Sequence, residues 1–182
     1  MKAIILAGGR GERLRPITDK ITKPLIPINN IPLIERTIKY LKKYGINEII
    51  ISSGYKSNKI ESFLKKNNNF GCQIIFSVEK TPLGTGGAIK KALNHVKEES
   101  FLVLNGDIVT NIDLRKILKK PNTIAANELK TKFGTMHIKN NKILKFNEKK
   151  DVVDVWMNSG IYHLSKNIDK MIPLLRVLVP SL

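Results

Sequence analysis

Short apolar runs alternate with segments of helical periodicity through the first half of the chain, and this alternation restricts the fold more than any other feature. The apolar runs have the length of buried strands and lie at residues 3–7, 48–52, 72–78 and 101–104. The helix-spaced segments between them are Leu33–Tyr44, a stretch from Ser57 and a stretch opening at residues 84–87. Gly45 is placed to end the first helix, and Ser57 to cap the second. Such alternation predicts a three-layer α/β fold around a parallel sheet.

The second half of the chain has a different pattern. Strands separated by short turns are predicted at residues 122–127, 134–138, 143–146 and 156–163. Asn140-Asn141 is typical of a hairpin turn, and a helix is predicted from Ser165 toward Pro173. We therefore expect a single Rossmann-like domain over residues 1–182, with a mostly parallel but mixed sheet.

The charge of the chain points to an anionic ligand. Lys and Arg number 32 against 15 Asp and Glu, which gives a net charge of +17. Nucleic acid, an anionic membrane and small phosphorylated ligands all fit such a field, although scattered lysine pairs are also typical of solvated helix faces. Aromatic residues make up only 6%, and neither an aromatic platform nor a basic recognition helix is evident. Nucleic-acid binding therefore stays an alternative interpretation, and we expect no nucleic-acid partner.

Cysteine content and apolar run length bear on the compartment. Cys72 is the single cysteine, so the chain has no intrachain disulfide. No apolar run reaches the length of a membrane span or a signal segment. We expect a cytoplasmic protein with no membrane partner.

Glycine and polar residues follow three of the predicted strands, as Gly8-Gly9, residues 52–55 and Asn105-Gly106-Asp107. Ligands of parallel α/β sheets bind beyond the carboxyl ends of the strands. The first of these segments continues to Pro16 and includes Gly11, Arg10, Arg13 and Arg15, with Lys23 beyond it. Glycines allow main-chain N–H groups to converge on an anion, and the basic side chains surround that point. The alternative is a glycine turn with solvated arginines.

The remaining candidates are weaker when each is taken alone. The glycine cluster at residues 82–88 opens a predicted helix. Its free N–H groups contact a phosphate or a base edge, or its glycines have a packing role only. Asp107 is either a turn cap or a hard-oxygen ligand for Mg²⁺. The three histidines lie apart in the sequence and predict no zinc site. The first loop is neither a Walker A loop nor the dinucleotide fingerprint.

The segment Leu6-Ala7-Gly8-Gly9-x-Gly11-x-Arg13-Leu14-x-Pro16, followed by Lys23-Pro24-Leu25, resembles the signature of the sugar-phosphate nucleotidylyltransferases. Glu12 stands where that family commonly has Thr, and the resemblance extends over roughly Met1–Lys166. It implies a glycosyltransferase-A-like fold and an enzyme that joins a nucleoside triphosphate to a sugar 1-phosphate, releasing pyrophosphate. The Gly86-Gly87 form of the second glycine segment is similar to that of mannose and heptose 1-phosphate guanylyltransferases, which favours GTP.

The resemblance also implies roles for individual residues. Arg13 would neutralise the leaving pyrophosphate, Lys23 would lie near the α-phosphate, Lys149 would orient the acceptor phosphate, and Asp107 would hold Mg²⁺. The implied nucleotide contacts are Leu6, Ala7, Gly8, Gly9, Gly11, Arg13, Gly84, Thr85 and Gly87. The implied sugar-phosphate contacts are Asn105, Gly134, Glu148, Lys149 and Asn158.

The C-terminal part departs from the family pattern. The family carries a second metal-binding aspartate in a Trp-x-Asp-x-Gly-type segment, whereas the one tryptophan here is Trp156 and no carboxylate follows Asp169. Asp151 and Asp154 are the nearest substitutes, and the chain looks short at its C-terminus. The alternative function is therefore a nucleotide-sugar-binding or regulatory domain with weakened catalysis. The apolar tail over residues 171–182 is interpreted as a homo-oligomer contact.

Overall fold

The computed structural model describes residues 1–129, 134–147 and 155–167. Its strands, in chain order, are β1 (Lys2–Ala7), β2 (Pro27–Ile28), β3 (Ile31–Pro32), β4 (Glu48–Ser53), β5 (Gln73–Val78), β6 (Ser100–Asn105), β7 (Thr123–Glu128), β8 (Thr135–Lys139), β9 (Lys142–Asn147) and β10 (Trp156–Ser165). Its α-helices are α1 (Ile17–Lys20), α2 (Leu33–Lys43), α3 (Ser57–Lys66), α4 (Gly84–Ala92) and α5 (Leu114–Ile117). Short 3₁₀ turns lie at Glu12–Leu14, Lys23–Leu25, Asn68–Gly71 and Leu93–His95.

Within the described residues, six strands form one mixed sheet in the order β5-β4-β1-β6-β10-β7. β5, β4, β1 and β6 run parallel, whereas β10 is antiparallel to both β6 and β7. The prediction of a mostly parallel but mixed sheet is therefore confirmed. β1 occupies the centre of the parallel part, so the loop that follows it opens at the middle of the carboxyl edge.

Helices cover both faces of the sheet, which confirms the three-layer architecture. Ile4 and Ile5 are fully buried, and they belong to different apolar cores because successive strand residues point to opposite faces. Ile5 packs in the core that contains Ile38 of α2, and Ile4 in the core that contains Ile89 of α4. Burying one such side chain stabilises the fold by about 2 kcal/mol, so the two cores hold β1 from both sides.

Helix ends follow the predicted chemistry at one site and differ from it at another. Gly45 has a φ of +76° just beyond α2, and its N–H donates to the carbonyl of Lys42 at 2.9 Å, as predicted for a terminating glycine. The prediction that Ser57 caps α3 is wrong. Lys56 is the N-cap with a φ of +51°, and Ser57 is the first helical residue. The hydroxyl of Ser57 lies instead 2.7 Å from that of Ser53.

The predicted hairpin at Asn140-Asn141 is confirmed, since the two residues have φ values of +49° and +60° between β8 and β9. These are the values of a type I′ turn, whose twist matches that of the flanking strands. The helix predicted from Ser165 is wrong at its first residue. Ser165 is the last residue of β10 and pairs with Ser100, and any continuation past residue 167 lies outside the described residues.

Candidate functional site

A cavity of about 720 Å³ lies at the carboxyl ends of β1 and β6, and we call it the main cavity. Its volume falls in the usual range for small-molecule sites. Ten of the predicted site residues line it: Leu6, Ala7, Gly8, Gly9, Gly11, Arg13, Lys23, Thr85, Asn105 and Asp107. The fold thus brings together segments that are far apart in the sequence, while the roles of these residues stay predictions.

A second, smaller pocket of about 240 Å³ adjoins the main cavity, and we call it the side pocket. The residues that line both spaces are Leu6, Gly8, Gly9, Pro82 and Thr85. Gly84 lines the side pocket at the start of α4, with a φ of +67°. One elongated ligand can therefore extend from the glycine loop after β1 to the start of α4.

The loop after β1 turns tightly at Gly11. Gly11 has a φ of +65°, and a Cβ there would lie 2.9 Å from Cγ2 of Thr18. The hydroxyl of Thr18 donates to the carbonyl of Gly11 at 2.9 Å, which fastens the loop to α1. A side chain at this position would disturb both contacts, so glycine is required by conformation and by space.

The end of β6 needs a glycine for a different reason. A Cβ on Gly106 would lie 2.5 Å from the carbonyl oxygen of Leu6 in β1. The N–H of Gly106 donates to the same oxygen at 2.8 Å. This close backbone approach places Asn105 and Asp107 beside the loop after β1. Gly106 had no predicted role, because the need for a glycine here depends on which strand lies beside β6.

Lys23 and Asp107 form an ion pair across the main cavity, although 84 residues separate them. Their side chains are 34% and 38% exposed, so solvent screens the pair. Partly exposed pairs of this kind contribute about 0–1 kcal/mol to stability. Each charged group can therefore leave its partner and bind a ligand instead, with little loss in folding free energy.

The arginines of the loop divide into two groups. Arg10 and Arg13 line the main cavity. Arg15 instead forms exposed ion pairs with Glu12 at 3.8 Å and Asp19 at 3.5 Å. The departure from the family pattern at Glu12 thus gives Arg15 a partner inside its own loop.

Glu79 is a site residue that the sequence patterns did not indicate. It follows β5, and its Oε1 accepts a hydrogen bond from the hydroxyl of Ser52 at 3.1 Å. Its Oε2 accepts one from the N–H of Leu83 at 3.1 Å, and the carboxylate lines the side pocket. The available signal was its position, since Glu79 stands at the carboxyl end of a parallel strand like the other site residues.

A bulge in β10 brings two of the predicted sugar-phosphate residues near each other. The register of β10 shifts between Asn158 and Tyr162, and Gly160 within that stretch has a φ of +70°. A Cβ on Gly160 would lie 2.6 Å from Nδ2 of Asn105. The N–H of Gly160 donates to Oδ1 of Asn158 at 2.8 Å.

Asn158 is also tied to a buried phenol. Its Nδ2 donates to the hydroxyl oxygen of Tyr162 at 2.6 Å. Burial raises the pKa of the Tyr162 phenol above its usual value, and the hydrogen bond from Asn158 offsets part of that rise. The phenol therefore stays neutral at physiological pH and orients the amide of Asn158.

The remaining predicted residues lie elsewhere or cannot be placed. Gly87 lines a separate depression with Leu83 and Lys90, where a Cβ on Gly87 would lie 2.8 Å from that of Leu83. Gly134 is exposed just before β8. Glu148, Lys149, Asp151 and Asp154 lie outside the described residues. Among the residues that are described, no group of three His, Cys, Asp or Glu side chains is placed to hold a metal ion.

The described part of the chain contains no helix with the length and apolarity that a bilayer crossing requires.

Solved structures share this arrangement. The chain superposes on HddC from Yersinia pseudotuberculosis complexed with GMP-PN with a TM-score of 0.73 and 33% identity, covering 92% of this chain and 77% of that one. It superposes on a putative glucose-1-phosphate thymidylyltransferase from Bacillus anthracis with a TM-score of 0.74 and 29% identity, covering 100% and 76%.

Two sequence relatives carry the same name. The D-glycero-alpha-D-manno-heptose 1-phosphate guanylyltransferase of Campylobacter jejuni is 42% identical over 173 residues, covering 92% of this chain and 77% of the relative. That of Aneurinibacillus thermoaerophilus is 39% identical over 176 residues, covering 92% and 76%. Residues 2–174 match the model of the nucleotidyl transferase family. The resemblance is thereby confirmed, and the chain belongs to the nucleotidyl transferase family.

Proposed function

We propose that this protein transfers the guanylyl group of GTP to a sugar 1-phosphate, producing a GDP-sugar and pyrophosphate. The observation that carries the proposal is the main cavity, which unites the glycine loop, Arg13, Lys23 and Asp107 at one edge of the sheet. The first candidate acceptor is D-glycero-α-D-manno-heptose 1-phosphate, because two relatives above 35% identity are named for it. Mannose 1-phosphate is the second, since mannose-1-phosphate guanylyltransferases are 34% identical.

The reaction is an in-line displacement at phosphorus. An oxygen of the sugar 1-phosphate attacks the α-phosphorus of GTP, and the bond from that phosphorus to the bridging oxygen breaks. Pyrophosphate leaves with the electron pair. The step needs no protein nucleophile, so catalysis consists of positioning two anions and stabilising the charge that develops between them.

The residues of the main cavity supply these two contributions. The N–H groups of the glycine loop bind phosphate oxygens, as they do in other anion-binding nests. Arg13 neutralises the leaving pyrophosphate, because a guanidinium binds two phosphate oxygens at once. Lys23 acts as a point charge beside the α-phosphate.

The family uses a divalent metal ion, and we propose Mg²⁺. Asp107 fits this ion, since its carboxylate is partly exposed in the same cavity as the proposed phosphate contacts. Mg²⁺ is commonly bound by one or two carboxylates together with substrate phosphates. When bound, it neutralises charge on the phosphate oxygens.

We assign the acceptor to the β10 side of the site. Asn105 and Asn158, linked through Gly160, supply hydrogen bonds to sugar hydroxyls. Gly134, Glu148 and Lys149 complete the proposed set, with Lys149 orienting the acceptor phosphate.

The test is a coupled assay for pyrophosphate with purified protein, Mg²⁺, GTP and each sugar 1-phosphate, with mass spectrometry of the product. We expect pyrophosphate and a GDP-sugar in equal amounts. Saturable GTP binding without pyrophosphate from any sugar 1-phosphate would contradict the proposal and identify a binding domain instead.

A further inference from the structure

We propose that Lys23 competes with the metal ion for Asp107, so that this carboxylate binds the ion tightly only after nucleotide phosphates have drawn Lys23 away. The inference rests on the proposed function, because it takes Asp107 as the proposed metal ligand and Lys23 as a proposed phosphate contact. It adds a coupling between nucleotide binding and metal binding, with Lys23 as the residue that carries it.

The carboxylate of Asp107 has Lys23 as its direct partner. The ammonium group of Lys23 donates to Oδ2 of Asp107. Among the described residues, no other side chain forms an ion pair or a hydrogen bond with this carboxylate. Carboxylate oxygens are also the atoms that Asp107 offers to Mg²⁺. Because an ammonium group and a metal ion do not fit together in front of one oxygen, binding of the ion at Oδ2 requires Lys23 to move.

The backbone of Lys23 is fixed, whereas its side chain is flexible. Lys23 begins a short turn in which the N–H of Leu25 donates to the carbonyl of the buried Thr22 at 2.9 Å. The Cβ of Lys23 lies 3.3 Å from the place that a Cβ on Gly11 would take. The side chain thus starts beside the glycine loop and ends at Asp107. Since a lysine has a flexible four-carbon stem, the ammonium group can turn to a phosphate at that loop without a change in the backbone.

Asp107 is less able to move than Lys23. It follows Gly106, whose N–H donates to the carbonyl of Leu6 in β1 at 2.8 Å. A single carbon atom separates the carboxyl group of an aspartate from its backbone. The carboxylate therefore stays at the wall of the main cavity, and Lys23 is the group that exchanges partners.

The charges of the main cavity favour this exchange. The charged residues that line the cavity are Arg10, Glu12, Arg13, Lys23 and Asp107. Lys23 repels a divalent ion near Asp107 twice as strongly as it would repel a monovalent ion at the same distance. A triphosphate reverses this effect, because its negative charge attracts Lys23 and the ion alike. By linkage, nucleotide and metal ion then raise each other's affinity.

Titration with Mn²⁺ in the absence of nucleotide tests the inference without requiring turnover. Free Mn²⁺ is measured by its electron paramagnetic resonance signal. Lys23→Met should bind Mn²⁺ at least about tenfold more tightly than the unmodified protein, because it removes the competing cation and keeps an unbranched side chain. Arg13→Met is the matched control, since it removes a cation of the same cavity that has no ion-pair partner among the described residues. It should gain less than about threefold, because solvent screens a charge without direct contact.

The gain should also depend on the carboxylate. Lys23→Met combined with Asp107→Asn should bind Mn²⁺ no more tightly than Asp107→Asn alone, because the two changes act on one contact. Equal Mn²⁺ affinity of Lys23→Met and the unmodified protein would overturn the inference. Equal gains in Lys23→Met and Arg13→Met would overturn it as well, since the effect would then be one of general charge.

Should Lys23→Met fail to fold, the carboxylate side of the pair still decides. Asp107→Asn releases Lys23, so in EDTA it should bind GTP at least about threefold more tightly than the unmodified protein in isothermal titration calorimetry. Glu12→Gln removes the other carboxylate of the cavity, which pairs with Arg15, and should change GTP affinity by less than about twofold. Unchanged GTP affinity in Asp107→Asn would overturn the inference. A gain of Mn²⁺ affinity in Lys23→Met, in a protein that releases no pyrophosphate with any sugar 1-phosphate, would contradict the proposed function and leave this inference standing.

Discussion

Single residues decide how closely segments of the chain approach one another around the main cavity. Gly11 allows the first loop to fold against Thr18, and Gly106 allows β6 to pass within hydrogen-bond distance of β1. A loop at Gly11 follows from the sequence, because glycines after an apolar strand are typical of a turn, whereas the contact with Thr18 does not follow from it. The role of Gly106 does not follow either, because it depends on which strand lies beside β6.

Replacing Gly106 by alanine should destabilise the protein. The added Cβ would lie 2.5 Å from the carbonyl oxygen of Leu6, so the end of β6 has to move. We expect a loss of about 1–3 kcal/mol in the free energy of unfolding, measured by urea denaturation. Gly9→Ala is the control, since a Cβ at Gly9 meets nothing within 4 Å. Equal stability of the two variants would show that β1 and β6 are not so closely apposed.

Arg13 and Arg15 are two residues apart, yet only Arg13 lines the main cavity. Arg13→Ala should lower kcat about a hundredfold, because it removes a cation that stabilises the negative charge developing in the transition state. Arg15→Ala should change kcat by less than about threefold, since the guanidinium of Arg15 pairs with Glu12 and Asp19 at the surface. Steady-state kinetics with matched melting curves would separate catalysis from folding. Similar losses in both variants would remove the distinction between the two arginines.

At the scale of elements, α1, which follows the glycine loop, is tied to α3 and to the N-cap residue of α3. The Nζ of Lys56 donates to the carbonyl of Asp19, and that of Lys59 donates to the carbonyl of Lys20 at 2.8 Å. These carbonyls are the free acceptors at the C-terminal end of α1, where a cation is favourable. We therefore expect Lys56 and Lys59 to position the glycine loop indirectly, through α1.

Lys56→Met should raise the KM for GTP about threefold and leave kcat nearly unchanged, because it loosens the loop without touching the reacting atoms. Lys56→Arg should restore much of the affinity. Lys65→Met is the control within α3, the helix that Lys56 precedes as N-cap, and Lys65 pairs there with Glu61 at the surface. An unchanged KM in Lys56→Met would mean that the loop keeps its conformation without this contact.

The elements differ in how far the sequence predicts them. The strands and helices of the first half follow from their apolar patterns, because the central strands are buried on both faces and the helices bury one face each. The antiparallel entry of β10 between β6 and β7 does not follow, since the spacing of apolar residues is the same for either strand direction. The same limit concealed Glu79, whose orientation depends on Ser52 of the neighbouring strand and Leu83 of the next loop.

At the scale of the whole molecule, pH acts on the packing between α2 and the segment after β6. Burial, with smaller contributions from Tyr44 and Asp113, raises the pKa of Tyr40 to about 12. Its hydroxyl donates to the carbonyl of Ile112, which requires the protonated phenol. A folded pKa above the unfolded value contributes stability that is complete below pH 10 and is lost as the pH rises toward 12.

Tyr40→Phe should therefore lower stability at neutral pH and show a flatter decline between pH 10 and 12 than the unmodified protein. The comparison of the two proteins cancels the titration of the many lysines. Urea denaturation at stepwise pH provides the measurement. Parallel curves would mean that the phenol ionises alike in the folded and unfolded chains.

The pairing of Lys23 with Asp107 has a consequence for biosynthesis. The two side chains meet only after β6 has inserted next to β1, and β6 ends at Asn105. A nascent chain that has emerged only as far as β5 already carries the entire glycine loop but has neither the strand that fixes one wall of the cavity nor the carboxylate opposite Lys23. Long-range contacts of this kind form late, because the intervening chain must first be ordered. During translation the protein thus displays the proposed phosphate-binding loop well before the main cavity is complete.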